Sequence, residues 1–354
     1  MDYRTIHVEA SRSYDILIGR GILAGLGGFI RPLLGNCRLA VLTDSNVDAL
    51  YGNAIMEHLS AAGYNACKYV IPAGEASKCA DNLLAFLNFM AGEQLTRSDA
   101  VIAFGGGVVG DLGGLSASLY LRGVKFVQVP TTLLAAVDSS VGGKTAIDIP
   151  AGKNLVGSFY QPSLVCCDTA LMDTLQKDIY RDGCAEVIKY GMILDAELYK
   201  TLHTLPFDRE AVVARCVEIK RDVVQQDEFD NGIRGLLNFG HTFGHAIEKC
   251  TSERGDSILH GEAVAKGMYF AAHISYQRGM LSEEELKRFC NTLSSIGFDL
   301  DTTYPVENLI EAIKNDKKRG ENGVDFVFLK EIGISCVENI SFDDLAKAAA
   351  DVLH

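Results

Sequence analysis

The chain has no apolar run approaching the roughly 18 residues a membrane-spanning helix needs, no C-x-x-C pair and no excess of basic charge. Each absence removes a class of function. A net charge of −13 argues against a nucleic-acid or anionic-membrane partner, which would need a basic face, so any anionic substrate must be drawn in by a local cluster of Lys and Arg. The ten cysteines form no regular framework, and Cys166 and Cys167 are adjacent, which suits reduced thiols rather than bridges. Met1-Asp-Tyr-Arg-Thr-Ile-His lacks the apolar core of a signal peptide, so a cytoplasmic location is expected. Also missing is the glutamate of H-E-x-x-H, because Thr242 follows His241, and peptide hydrolysis is not expected.

What is there is a chain of 354 residues with 35 glycines and close to half its residues apolar, which suits a two-domain α/β enzyme. Residues 4–8 and 14–18 read as a short strand pair. Buried strands follow at Arg38–Thr43, Ala66–Ile71, Asp99–Phe104 and Lys125–Val129, each of the first three followed by a helical stretch. That alternation predicts a Rossmann-like parallel sheet with ligands at the strands' C-terminal ends. Beyond about residue 173 helical periodicity takes over: 178–192, 195–203, 208–228, 236–250, 261–279, 282–296 and 305–317, with short strands near 325–329 and 332–336. The expected division is 1–173, an α/β nucleotide-binding domain, and 174–354, a mostly helical domain.

Gly105, Gly107 and Gly110 satisfy G-x-G-x-x-G between a strand and a helix, where amides would face a pyrophosphate. The same glycines could instead serve a turn with positive φ. No acidic residue ends a strand about twenty positions downstream, so Asp44 or Glu75 is the expected ribose carboxylate. The block from Asp138 to Asn154 is dense in Gly and polar residues, and Lys144 and Lys153 bring positive charge into it. Gly143-Lys144-Thr145 ends like a phosphate loop, but Asp138 stands where the first glycine belongs, which rules that motif out. A surface loop with solvated lysines is the plainer alternative.

His241 and His245 share one helix face at i, i+4, so they could both hold a metal or divide the work between metal and substrate. Arg234, Asn238 and His260 extend the polar set. Glu186, one turn before Lys189, would complete a carboxylate–histidine site suited to Zn²⁺, Co²⁺ or Fe²⁺, unless the pair is an ordinary Glu–Lys salt bridge.

Taken together, Gly105-Gly-Gly-Val-Val-Gly-Asp111, Val129-Pro-Thr-Thr through Gly-Gly-Lys-Thr-Ala146, Gly152-Lys-Asn-Leu-Val-Gly157, Ala185-Glu-Val-Ile-Lys-Tyr-Gly191, Leu236-Leu-Asn-Phe-Gly-His-Thr-Phe-Gly-His245 and Leu259-His-Gly-Glu262 resemble the 3-dehydroquinate synthase family over nearly the whole chain. The resemblance implies two domains with NAD and one divalent metal, Zn or Co, in the cleft joining them. It implies conversion of 3-deoxy-D-arabino-heptulosonate 7-phosphate to 3-dehydroquinate and phosphate. The expected course is transient oxidation by NAD, β-elimination, re-reduction and aldol cyclisation. Matched motif by motif, Glu186, His241 and His260 would be the metal ligands, and His245 a proton-transfer group beside the substrate. Asp44, Asn46, Glu75 and Lys78 would line the NAD site. So would the loop of Gly106, Gly107, Val108, Gly110 and Asp111, together with Thr131, Thr132, Lys144, Lys153 and the Leu171–Thr174 stretch.

Lys144, Asn154, Lys189, Lys220, Arg234, Asn238 and one of Lys317 or Lys318 would hold the phosphate, carboxylate and hydroxyls of the substrate. Asp138 would sit between cofactor and substrate, and Arg122 would reach a neighbouring subunit's site in a homodimer. The competing expectations are another sugar-phosphate cyclase such as 2-deoxy-scyllo-inosose synthase, a metal-dependent polyol dehydrogenase, and a catalytically silent NAD- or metal-binding regulator. Arg234 and Asn238 favour a carboxylate-bearing substrate over the first rival.

Overall fold

The computed structural model describes residues 2–202, 207–315 and 323–353. Chain contacts divide it into two compact units, Met1–Leu175 with Arg209–Phe229, and Gln176–Asp208 with Asp230–His354.

The first unit runs β1 (Arg4–Val8), β2 (Tyr14–Gly19), α1 (Leu26–Leu34), β3 (Arg38–Asp44), α2 (Ser45–Ala61), β4 (Asn65–Ile71) and α3 (Ala80–Gly92). It continues through β5 (Ala100–Gly105), α4 (Gly107–Leu119), β6 (Lys125–Pro130), β7 (Lys144–Ile149), β8 (Gly152–Phe159) and β9 (Leu164–Asp168). Among the described residues seven strands form one sheet in the order β1-β2-β9-β6-β5-β3-β4, parallel except for the β1–β2 pair. Successive residues of β3 alternate between the two faces: Leu39 and Val41 join one apolar cluster, Ala40 and Leu42 the other. Helices cover both faces, which is why the central strands are continuous apolar runs.

Two features depart from the sequence pattern. The block after residue 143 is a hairpin, β7 paired with β8, rather than a loop. And Lys125–Pro130 does not end the sheet, because β9 inserts between β2 and β6.

The second unit contains α5 (Lys177–Leu194), α6 (Ala196–Thr201), and, after the excursion α7 (Arg209–Gln226), α8 (His241–Glu253), α9 (His260–Gln277), α10 (Glu283–Ile296) and α11 (Val306–Lys314). β10 (Gly323–Glu331), β11 (Ile334–Ser341) and α12 (Phe342–Leu353) complete it. α7, expected with this half, belongs to the first unit instead. Its buried stripe of Val213, Cys216, Val217 and Val224 faces inward there. Arg209 anchors it by donating to Asp173 at 2.7 Å and to the Thr169 carbonyl at 2.8 Å.

The helix expected over 236–250 is broken. Ile233–Asn238 winds as a 3₁₀ turn, Gly240 adopts φ 79°, and α8 starts only at His241. Among the described residues, which include all ten cysteines, each thiol is free, and no helix is long and apolar enough to cross a membrane.

Candidate functional site

Three elements of the second unit bring Glu186, His241 and His260 together. Glu186 sits mid-way along α5 with no exposure, and the two histidines are the first residues of α8 and α9. One ligand atom from each lies within 4.8 Å of the other two. His260 Nε2 is 3.4 Å and His241 Nε2 3.6 Å from Glu186 Oε1.

The far nitrogen of each ring is anchored. His241 Nδ1 donates to the Phe239 carbonyl at 3.1 Å, and His260 Nδ1 lies 3.5 Å from Glu248 Oε1. An Nδ1–H held by a carbonyl leaves the Nε2 lone pair aimed at the carboxylate, the tautomer a metal requires. Burial, with the nearby Lys189 cation, pushes His241 well below the ordinary imidazole range. Burial would lower His260 too, but hydrogen bonding to Glu186 and Glu248 outweighs it and carries this ring up to about 10.

Glycines make the convergence possible. A Cβ on Gly267 would lie 1.9 Å from the Gly240 carbonyl oxygen, and one on Gly244 3.2 Å from Val264 Cα. α8 and α9 therefore touch backbone to backbone, with the His241 and His260 rings 5.4 Å apart. His245, one turn along α8, places its ring 5.5 Å from His241 and 6.3 Å from His260 but is outside the converging set. The i, i+4 spacing therefore brings one ring into the trio and leaves the other beside it.

Among the described residues the same unit buries three cations, Lys189, Arg234 and Lys266, the last of which reaches Asp299 at 3.3 Å. Lys189 is 1 % exposed and pairs with Glu186 Oε2, and Arg234 is 2 % exposed in the 3₁₀ turn. Asn238 ends that turn and donates to the Gly235 carbonyl at 3.0 Å. Lys317 and Lys318 lie outside the described residues.

In the first unit the expected cofactor residues gather at the C-terminal ends of β3, β4, β5 and β6. Asp44 caps α2, its Oδ1 accepting from the amides of Asn46 and Val47 at 2.9 and 3.1 Å. The glycine turn from β5 into α4 uses no left-handed backbone: Gly106 has φ −74°. Its glycines serve close packing instead. A Cβ on Gly110 would meet Gln128 Oε1 at 2.7 Å, one on Gly107 Ser139 Oγ at 3.2 Å, and one on Gly106 Thr132 at 3.2 Å. Val108 and Asp111 follow in the first turns of α4, and Thr131 donates its amide to the Gly105 carbonyl at 3.0 Å.

Lys78 is the hub. Its Nζ lies 3.1 Å from Glu75, 3.2 Å from Asp111 and 4.0 Å from Asp148, and donates to Asn154 Oδ1 at 2.8 Å. Burial opposes its charge, but the three carboxylates raise it above the usual lysine value. Asp111 is carried up to about 6 by burial, against the pull of Lys78.

Asp138 lies in the π-helical turn Ala135–Ser139, where Lys220 of α7 reaches both its carboxylate and, at 2.7 Å, its carbonyl. Lys144 and Lys153 stand exposed on the β7–β8 hairpin, where Asn154 holds φ 54°. The 3₁₀ turn Thr169–Thr174 is tied to α2 by Tyr51, whose hydroxyl is 2.9 Å from Thr174 Oγ1 and 3.5 Å from the Leu171 carbonyl. Arg122 is exposed at φ 67°, next to Leu121 at φ 49°.

Sequence reasoning missed Glu248, Asp148 and Asp182 as partners of these groups. Glu248 was signalled by its i, i+3 distance from His245 and Asp182 by its i, i+4 distance from Glu186, whereas nothing local marks Asp148.

Comparison with known proteins agrees with this arrangement. A family model described as 3-dehydroquinate synthase N-terminal matches residues 68–182, and one described as 3-dehydroquinate synthase C-terminal matches 183–319. The 3-dehydroquinate synthase of Sinorhizobium medicae is 42% identical over 349 residues, 94% of this chain and 92% of its own. Among solved structures, the 2-epi-5-epi-valiolone synthase of Streptomyces hygroscopicus with NAD⁺ and Zn²⁺ bound is 26% identical, with a TM-score of 0.88 over 98% of each chain. A 2-deoxy-scyllo-inosose synthase complexed with carbaglucose-6-phosphate, NAD⁺ and Co²⁺ is 23% identical at a TM-score of 0.86, over 98% of this chain and 100% of its own, and shares the fold. Both family models, the full-length identity and the motifs gathered around Glu186 and Lys78 converge on one assignment: the chain belongs to the 3-dehydroquinate synthase family.

Proposed function

We propose that this chain converts 3-deoxy-D-arabino-heptulosonate 7-phosphate to 3-dehydroquinate and inorganic phosphate, using a recycled NAD and one divalent metal ion, Zn²⁺ or Co²⁺. The observation that carries the proposal is the convergence of Glu186 Oε1 with the Nε2 atoms of His241 and His260 in a chain of this family. The donor set fits such an ion: one carboxylate and two imidazoles, both rings anchored at Nδ1, leave coordination positions for substrate oxygens. Glu186, His241 and His260 would hold the ion, which when bound supplies Lewis acidity to adjacent ring hydroxyls. NAD, held by Asp44, Asn46, Glu75, Lys78, the Gly106–Asp111 loop, Thr131, Thr132, Lys144, Lys153, Leu171 and Thr174, supplies a reversible hydride acceptor.

The chain's own groups do the rest. Lys189 and Arg234 are buried cations in an acidic protein, suited with Asn238 to fix the substrate's anionic groups by charge-assisted hydrogen bonds. Lys144, Asn154 and Lys220 are further candidates for holding the substrate's phosphate, carboxylate and hydroxyls, and Asp138, whose carboxylate and carbonyl Lys220 reaches, for the place between cofactor and substrate. His245 lies next to the ligand rings without joining them, the position for a group that carries protons to and from the substrate. We further propose a cytoplasmic homodimer in which Arg122 serves the neighbouring subunit; holding Leu121 and Arg122 at positive φ costs about 1 kcal/mol or more each, a strain typical of functional loops. Identity of 42% to a 3-dehydroquinate synthase supports the carboxylate-bearing substrate over its rival.

Incubating purified protein with the heptulosonate phosphate and catalytic NAD⁺ is expected to yield phosphate and dehydroquinate in equal amounts with no net NADH absorbance. Stripping metal with a chelator should stop both, and Zn²⁺ or Co²⁺ should restore them. Accumulating NADH would point to a dehydrogenase, and undiminished turnover by stripped protein would sink the metal assignment.

A further inference from the structure

His260 is the first residue of α9, yet nothing adjacent in the chain caps that helix. The N-cap position is Leu259, which offers no acceptor, so the amides of the first turn lack a local partner. The acceptor comes from another helix. Asp182, on α5, accepts from the Gly261 amide through Oδ1. Four residues further along α5 stands Glu186, and i, i+4 spacing puts the two carboxylates on one face. Gly261 is fitted to the contact: a Cβ there would fall 2.0 Å from the Asp182 carbonyl oxygen and 2.7 Å from its Oδ1.

We infer that Asp182 is a positioning residue for the metal centre, capping α9 from the helix that carries Glu186 and so fixing His260 against that carboxylate. A single turn of α5 then sets the separation of two of the three ligands. Without the cap, the first turn of α9 frays, and His260 is the residue that frays with it. Glu248, 3.5 Å from His260 Nδ1, orients the ring but does not hold the backbone turn that carries it. The inference rests on the ligand assignment proposed above.

Co²⁺ affinity and the visible absorption of the Co²⁺-loaded protein test it without recourse to turnover. Asp182→Ala is expected to weaken Co²⁺ binding about 10- to 100-fold, the usual cost of losing a group that orients a ligand, and to alter the Co²⁺ spectrum. Asp182→Asn keeps the acceptor oxygen and should stay within about threefold of wild type on that scale. Leu259→Asn in the Asp182→Ala background supplies an acceptor to the same Gly261 amide from the local cap position. It should recover folding and affinity even where the single variant melts poorly. His260→Ala is the control for the ligand assignment and should lose Co²⁺ altogether. Wild-type affinity and spectrum in Asp182→Ala, with Co²⁺ lost in His260→Ala, would overturn the role of Asp182 while leaving the ligands in place. Failure of the Leu259→Asn double variant to regain affinity in a folded protein would also overturn it. Undiminished Co²⁺ binding by His260→Ala would overturn the ligand assignment and the inference with it.

Discussion

At the scale of single residues, environment rather than type decides what each group can do. His241 and His245 are the same side chain one turn apart on α8, but His241, with its Nδ1 donating to the Phe239 carbonyl and its Nε2 turned to Glu186, joins the converging set and His245 does not. His245→Ala should therefore retain bound metal and lose about 10²- to 10⁴-fold in kcat, the ordinary worth of a proton-transfer group. Metal analysis beside steady-state kinetics checks it; a metal-free variant would make His245 a ligand. Asp111 offers a second test. Burial raises its carboxyl to about 6 from an ordinary 3.8, so the folded state holds this proton more tightly than the unfolded chain does. For a raised acid, stability is greatest below the unfolded value and falls as pH rises from about 4 toward 6. Asp111→Asn removes that slope, and urea unfolding at several pH values should show wild type losing on the order of 2 kcal/mol relative to the variant across the window. Parallel curves would show that the carboxyl is not destabilised by burial. The identities of these residues were legible in the motifs, and the family resemblance implied their division of labour, but spacing alone did not show it, because tautomer and burial are set by residues far off in sequence, such as Glu186 to His241.

At the scale of elements, the site depends on how closely two helices approach. Helical periodicity marked α5, α8 and α9, since their apolar residues recur at the helical period. It did not mark the start of α8, where Gly240 at φ 79° and the preceding 3₁₀ turn break what reads as one helix. Nor did it mark the hairpin β7–β8, whose second strand is largely exposed and so lacks the half-buried alternation that announces a strand. The five-residue β9, Leu-Val-Cys-Cys-Asp, is a short apolar run that periodicity alone cannot assign. The crossing of α8 and α9 rests on Gly267 against the Gly240 carbonyl. Gly267→Ala is expected to cost about 1–3 kcal/mol by overpacking and to spread His241 from His260, lowering metal content. Thermal melts with metal analysis of the purified variant check it. A variant with wild-type metal affinity and melting temperature would show that the backbone contact does not set the ligand spacing.

At the scale of the whole molecule, the alternation of strands and helices gave the fold class, but chain order gave a wrong partition for α7. That helix follows α6 in sequence and is helical in pattern like its neighbours, yet Arg209 ties it to Asp173 and Lys220 ties it to Asp138 in the first unit. These are long-range ion pairs, which no local period encodes. The proposed homodimer is tested at the same scale. Arg122, strained and exposed, is proposed to act on the partner's substrate, while His245 acts on its own. Arg122→Ala and His245→Ala homodimers should each be nearly inactive. Exchange of subunits in an equal mixture makes half the dimers mixed, and each mixed dimer with two-fold symmetry of design has one site with both native residues. The mixture should therefore recover roughly a quarter of the wild-type rate. If Arg122 serves its own chain, every site in the mixture lacks one of the two groups and no activity returns, which would remove the neighbouring subunit from the site.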